Sequence, residues 1–260
     1  MTSDGATAIP SRSESYPYNG RMTKWDEVAP GLAIVSVKPL AGSFPFEPGQ
    51  YATLGLLNPA GKLVQRPMSI ASSAERLGDY EFLIRLVDEG AFTPLLWELR
   101  PGDPIHLKGP KGRFVLLEDG HKCLFVASGT GLAPFWSMIQ TLRDRGQSRE
   151  MVLLHGVSRD VDLAWRREME EVEAEGFPLR YVGTVSRPQH CPDWRGCTGR
   201  VESIFAAQLA ENGLDASNTT IYLCGNPDMV SAVENLAAAH GFPPAQVRKE
   251  LYWTVKSTGK

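Results

Sequence analysis

The chain has 260 residues, 42% of them hydrophobic and 22% charged, with a net charge of -3; that is enough apolar material to fill one large or two medium domains. So small a net charge gives no basis for binding nucleic acid or an anionic membrane surface, and no apolar run approaches the roughly 20 residues of a membrane-spanning helix. The four cysteines, Cys123, Cys191, Cys197 and Cys224, form no CxxC pair; they lack the spacing of a zinc or iron–sulfur site and fit a reducing cytoplasm, with a small buried hydrophobe as the plain expectation for Cys123.

In chain order, residues 1–20 are rich in Ser, Thr, Gly and Pro and lack an apolar segment, so they read as a mobile tail and not as a secretory signal or anchor. From residue 21 to 118 the texture is one of short alternating runs, at 32–37, 51–54, 80–87 and 105–108, split by Pro-Gly pairs at 30, 48 and 101. Many short strands at this spacing predict an antiparallel β-barrel or sandwich. One helical interruption is expected over 92–99, opened by Thr93-Pro94.

Past residue 118 the period changes. Apolar runs at 124–127, 152–154, 179–182 and 220–223 alternate with helical patterns at 134–145, 163–175, 201–209 and 228–240, and residues 247–253 read as a last strand. Strict strand–helix alternation predicts a Rossmann-like α/β domain with a parallel sheet covered on both faces, here over 119–260. Neither an internal repeat nor a low-complexity segment is visible.

The apolar run at 124–127 leads into Gly129-Thr130-Gly131-Leu132-Ala133-Pro134. Two glycines allow a tight turn, Pro134 suits a first helical turn, and free N–H groups there form a seat for a phosphate. Against a dinucleotide site, Pro134 stands where a third glycine is usual, and the next strand runs into His155-Gly156-Val157-Ser158-Arg159 with no acid before Asp160. Taken alone, the motif leaves an ordinary β-turn-α corner open. Arg66-Pro67-Met68-Ser69 brings a guanidinium close to a hydroxyl on a strand loosened by Pro67, where the plain alternative for Arg66 is a surface ion pair. Gly90-Ala91-Phe92-Thr93 is a small-residue turn opening a helix, a second place for a phosphate.

Six motifs in one order, FEPGQY (46–51), RPMS (66–69), GAFT (90–93), GTGLAP (129–134), TVSR (184–187) and CGNPDM (224–229), make the chain resemble the ferredoxin or flavodoxin–NADP reductase family of bacterial type. The resemblance implies an FAD-binding β-barrel followed by an NADP-binding α/β domain. It implies that Arg66 pairs with the FAD pyrophosphate, for which a planar fork suits better than lysine. Pro67 and Met68 would border the flavin, Ser69 would bond near its hydride-accepting nitrogen, and Val87 with Gly90, Ala91, Phe92 and Thr93 would hold the FAD phosphate. Thr130 and Gly131 would lie beneath the NADP pyrophosphate, and Cys224, Gly225, Asn226, Pro227 and Met229 would border the nicotinamide. Tyr252, or else Trp253, would cover the opposite flavin face, the plain alternative for both being core packing. Met68 departs from the family's usual tyrosine; a sulfur–aromatic contact of about 0.3–1.5 kcal/mol can replace the lost stacking, so FAD is expected to bind with an altered potential or electron partner.

Cofactor choice rests on Ser186 and Arg187, a hydroxyl beside a cation at the end of the third strand, which suits a ribose 2′-phosphate where NAD sites favour an acid. Arg195 is the expected second cation, or else a solvated loop charge, with Arg200 further along, and Arg159 is expected to reach the pyrophosphate. The resulting expectation is an enzyme that moves hydride between NADPH and FAD and exchanges single electrons with a ferredoxin or flavodoxin, as a monomer or weak dimer. Ser69 and Cys224 stand at its reaction centre, with Glu250 as a proton-handling group. Two alternatives stay open: a flavin-only reductase component of an oxygenase, NADH-dependent or with an unusual protein acceptor, and a flavin-binding subunit without turnover of its own. GPKGRF at 109–114 resembles the loop of such oxygenase reductases.

Overall fold

The computed structural model describes residues 17–252. The tail before residue 17, Trp253 and the polar extension 254–260 therefore lie outside the described residues. Residues 17–20 of the expected tail are packed: Tyr18 is buried, its hydroxyl accepts from Leu57 N–H at 3.1 Å, and the Asn19 amide bonds both main-chain groups of Leu107 at 2.8 Å.

The first sheet holds β1 (Gly20–Ala29), β2 (Leu32–Pro39), β3 (Tyr51–Leu57), β4 (Leu63–Ser69), β5 (Tyr80–Arg85) and β6 (Pro104–Lys111), in the order β4-β3-β6-β1-β2-β5. All its pairings are antiparallel. The sequence reading did not single out β1, because two register shifts against β2, between Met22 and Lys24 and between Glu27 and Ala29, break its alternation. The helix expected over 92–99 is shorter, α1 (Thr93–Trp97).

The second sheet alternates with helices: β7 (Lys122–Ser128), α2 (Ala133–Asp144), β8 (Met151–Val157), α3 (Arg166–Ala174), β9 (Leu179–Val185), β10 (Cys197–Thr198), α4 (Phe205–Glu211), β11 (Thr219–Gly225), α5 (Pro227–Ala239) and β12 (Val247–Leu251). Its order is β10-β9-β8-β7-β11-β12, parallel throughout. Every residue of β8 and β11 is buried, as expected of strands covered on both faces. From β7 the chain steps outward through β8 and β9, then returns to β11 on the other side of β7. The order therefore reverses between β7 and β11, and the crevice beyond the carboxyl ends of strands at such a reversal is where α/β sheets take ligands.

The two sheets share a core. Ala29, Leu32, Ile34 and Leu83 from the first lie in one apolar cluster with Phe135, Trp136, Ile139 and Trp165 from the second. The loop after β4 is tied to α2 by polar contacts: Ser137 Oγ donates to the Ser72 carbonyl at 2.7 Å, Gln140 Nε2 to Ala71 at 2.9 Å, and Thr141 Oγ1 accepts from Ala74 N–H at 2.9 Å. Between β6 and β7, where residue 118 falls, Leu117 is pinned by the buried Tyr222 hydroxyl at 2.9 Å and by Arg149 at 2.6 Å. A shared core and a pinned connection hold the two sheets in fixed relation, which lets side chains from both build one site.

Candidate active site at the sheet junction

β4 is an edge strand, paired only with β3. Pro67 lacks an N–H, Ile70 N–H bonds the Gln50 carbonyl at 3.0 Å, and alternation along the pair then turns the main-chain groups of Pro67 and Ser69 away from β3, toward the free edge. Arg66 on this strand is half-buried; among the described residues its guanidinium bonds only the neighbouring Gln65 carbonyl, at 2.8 Å. Met68 packs against the barrel core.

Ser69, the last residue of β4, meets the carboxyl ends of β11 and β12. The parallel register sets Cys224 beside Glu250 and Gly225 beside Leu251, and Tyr252 N–H continues the ladder to the Gly225 carbonyl at 2.9 Å. The Tyr252 hydroxyl donates to Ser69 Oγ at 2.5 Å, and Ser69 Oγ donates to Glu250 Oε2 at 3.2 Å. Burial pushes the Glu250 carboxyl up to about 7, against a smaller opposing effect of the Ser69 hydrogen bond. The Cys224 thiol is fully buried against Tyr252; burial first, and the Glu250 carboxylate second, raise it well above the ordinary thiol range. Cys224 is therefore a neutral thiol, and Tyr252, raised likewise by its burial, is a neutral donor.

The Gly90 turn is closed from within. Gly90 N–H bonds the Val87 carbonyl at 2.8 Å, and the Thr93 hydroxyl accepts from Val87 N–H at 2.9 Å and donates to its carbonyl at 3.1 Å. Val87 is 40% exposed while Phe92 is 1% exposed in the barrel core. The Phe92 ring is thus a packing anchor, and any cofactor role of this residue falls to its main chain.

At the crevice between β7 and β11, Gly129 takes φ +54°, and a short turn over Gly129–Leu132 feeds α2. Gly131 is buried, and a Cβ there would come within 2.2 Å of the Cys224 carbonyl. Close approach of the turn to β11 therefore demands the second glycine. Thr130 stays half-exposed. Ser128 Oγ accepts from Asn226 N–H at 2.9 Å, and the Asn226 side chain caps α5 by accepting from Asp228 N–H at 2.8 Å. Pro227 lies in the first turn of α5, and Met229 is 4% exposed in the core, so the Met229 side chain packs beneath the helix. Sequence reasoning assigned no role to His155, although a histidine inside an apolar run is itself a signal. It is fully buried on β8, contacts the Tyr181 hydroxyl at 3.2 Å through Nδ1 and the Gly129 carbonyl at 3.1 Å through Nε2, and desolvation pushes it down to about 4. A neutral imidazole with Nε2 protonated satisfies both contacts and holds the glycine turn from below.

Outward from the crevice, Ser186 and Arg187 extend the β8–β9 ladder through bonds to the Val157 and Ser158 carbonyls at 2.9 and 3.0 Å, leaving both side chains exposed. Arg195 is exposed and folds back on its own loop, donating to the Pro192 and Trp194 carbonyls at 2.8 and 3.0 Å. Arg159 lies beside Asp162 at 3.4 Å.

Comparison with known proteins finds a family match in each half of the chain. Residues 21–116 match the oxidoreductase FAD-binding domain and residues 125–235 the oxidoreductase NAD-binding domain. Ferredoxin–NADP reductase B of Sorangium cellulosum is 30% identical over 247 residues, 92% of this chain and 99% of its own length. The toluate 1,2-dioxygenase electron transfer component of Pseudomonas putida is 32% identical over 236 residues, 90% of this chain but 66% of its own length, so the chain spans just under two thirds of that relative. Among solved structures, the cytochrome P450 reductase GcoB of Amycolatopsis superposes with a TM-score of 0.79 at 27% identity, over 90% of this chain and 69% of that one. The chain belongs to the ferredoxin–NADP reductase family of FAD- and nicotinamide-nucleotide-dependent oxidoreductases.

Proposed function

We propose that this protein moves hydride between NADPH and FAD bound at the sheet junction and exchanges single electrons with a small redox protein of the ferredoxin or flavodoxin class. The observation that carries the reading is the junction cluster: Ser69 from one sheet bonded to both Glu250 and Tyr252 from the other. Such a cluster serves a reaction that occurs between the two domains.

The residues fit FAD. The half-buried Arg66 guanidinium has no carboxylate partner among the described residues, and the free edge of β4 offers main-chain donors and acceptors next to it. Arg66 would hold the diphosphate as a charge-assisted fork, the exposed side of the Val87–Thr93 turn with Ala91 would meet the phosphate, and Met68 with Tyr252 would bound the ring. Bound there, FAD would supply acceptance of two electrons and their release one at a time. Tyr252 and Cys224 exclude water from the junction. The Ser69 hydroxyl, with Glu250 behind it, holds or moves a proton at its Oγ, and a carboxyl near 7 is poised for that at neutral pH. Rate otherwise comes from orientation, which the fixed β11–β12 ladder supplies to a nicotinamide beside Cys224 and Gly225.

On the nucleotide side, the glycine turn with Thr130 and Arg159 would take the pyrophosphate, and Ser186, Arg187 and Arg195 the 2′-phosphate. Similarity to the toluate dioxygenase component favours a second reading, the reductase component of an oxygenase, NADH-dependent or with an unusual protein acceptor. Reconstitution with each acceptor class decides between them. NADPH-driven reduction of a ferredoxin or flavodoxin, measured by its absorbance change, is expected to turn over at saturating acceptor. Turnover confined to an oxygenase partner would overturn the first reading.

A further inference from the structure

Asp162 is a buried carboxylate, 5% exposed, in the turn just past the carboxyl end of β8, and it faces two guanidinia from two different domains. Arg85, at the end of β5 in the first sheet, donates from Nη2 to Asp162 Oδ1 at 2.9 Å, and from Nη1 to the Pro30 carbonyl at 3.2 Å. Arg159, three residues before Asp162, reaches the same carboxylate through Nε at 3.4 Å and Nη2 at 3.5 Å. The first pair has the length of a sound charge-assisted hydrogen bond; the second lies at the outer limit, where such bonds weaken steeply. A buried carboxylate must keep a cation. Here the obligation is met from the other domain.

We propose that Arg85 and Asp162 are positioning residues for nucleotide binding: the guanidinium of the FAD domain saturates the Asp162 carboxylate and so leaves Arg159 releasable to a nucleotide phosphate. The inference rests on the reading of Arg159 as a phosphate ligand given above. Three features of the structure converge on it. Arg85 cannot drift, because its strand is registered against Leu32 of β2 and its other arm is held by Pro30. Arg159 keeps 40% of its side chain in solvent, at the carboxyl edge of the sheet two residues beyond β8, the strand that neighbours β7 and its glycine turn. The turn itself is fixed by Asp162 N–H bonding the Arg159 carbonyl at 3.0 Å, so the side chain can swing while the backbone stays. Removing Arg85 leaves Arg159 as the remaining described cation on Asp162, captured at short range and withheld from the nucleotide.

The consequence is a pair of substitutions with opposite signs. Calorimetric titration of the FAD-loaded protein with NADP+ is expected to show about a tenfold weaker Kd for Arg85→Met and a Kd about threefold tighter than the parent for Asp162→Asn, which frees Arg159 altogether. The double variant is expected to follow Asp162→Asn, and Arg85→Lys to remain within about twofold of the parent. In steady-state assays with NADPH the change is expected in KM, with kcat held within about twofold, because the junction cluster is untouched. FAD content, read from the flavin absorbance, checks that each variant is folded. Arg159→Met separates loss of the phosphate ligand from loss of its positioning. An unchanged Kd in that variant would remove Arg159 as a ligand and the inference with it. Weakening in Arg159→Met together with either no change in Arg85→Met, or equal weakening in Arg85→Met and Asp162→Asn, would show that the pair merely docks the domains and would overturn the inference alone.

Discussion

The junction cluster and the outer nucleotide loop are built on opposite principles. Ser69, Cys224, Glu250 and Tyr252 come from the ends of three strands and are buried or half-buried, with Ser69, Glu250 and Tyr252 bonded to one another at 2.5–3.2 Å; burial shifts Glu250 to about 7 and keeps Cys224 a neutral thiol. Ser186, Arg187 and Arg195 come from one continuous stretch, stay exposed, and bond chiefly to main-chain groups of their own neighbourhood. Desolvated groups can hold protonation states that water would forbid, whereas exposed cations work as solvated charges worth little until a ligand arrives. The proposed function places chemistry in the first region and discrimination in the second.

The sharpest way to break this division is at the cluster. Glu250→Gln is expected to lower the rate of hydride transfer by about 100-fold with little change in the KM for NADPH, a loss typical of a proton-handling group. It is also expected to abolish an inflection near pH 7 in the kcat profile, where burial sets the carboxyl. A comparable loss in KM alone would move Glu250 out of the chemistry. Next in size is His155, buried and pushed down to about 4 from an ordinary 6.5. The unfolded chain takes up a proton on this imidazole that the folded chain refuses, so stability is present above the ordinary value and is lost as pH falls from about 6.5 toward 4, by about 3 kcal/mol at most. Thermal unfolding between those pH values is expected to be steeper in the parent than in His155→Phe. Equal slopes would place the acid sensitivity elsewhere.

Arg66→Met tests the edge of β4 and is expected to weaken FAD binding by about 10- to 100-fold, the range of a lost charge-assisted bond, measured by ultrafiltration of the apoprotein with added FAD. Smallest is the outer loop: Arg187→Ala is expected to raise the KM for NADPH about tenfold and leave that for NADH unchanged, since a solvated cation discriminates only through the phosphate it meets. Equal effects on both nucleotides would turn Arg187 into a structural residue.

Much of the architecture was legible because the hydrophobic period changes near residue 118: strands at 32–37, 51–54 and 105–108 lie within β2, β3 and β6, and the helix at 134–145 matches α2 to one residue at each end. β1 escaped notice because its bulges break the alternation, and the helix expected over 201–209 is a short turn at Val201–Ser203 followed by α4. The site was legible as motifs only. Nothing local in RPMS or in Cys224 says that strands 181 residues apart in sequence bring Ser69 to Glu250. Within motifs, neighbours were carried along with the working residues: Phe92 and Met229 occupy positions that point into the two cores. The Arg85–Asp162 pair, 77 residues apart, left no pattern in either segment, since a lone charge on a strand and a lone charge in a turn look like solvated surface.

The most direct test of the division between chemistry and discrimination is rapid-mixing reduction of the FAD-loaded protein by NADPH and by NADH, following loss of the oxidised flavin absorbance. Bleaching by NADPH at least about tenfold faster than by NADH at sub-saturating nucleotide, with the two limiting rates converging at saturation, is the expected result. Equal rates at every concentration, or faster bleaching by NADH, would contradict the assignment of the outer loop to the 2′-phosphate and leave the oxygenase-reductase reading in its place.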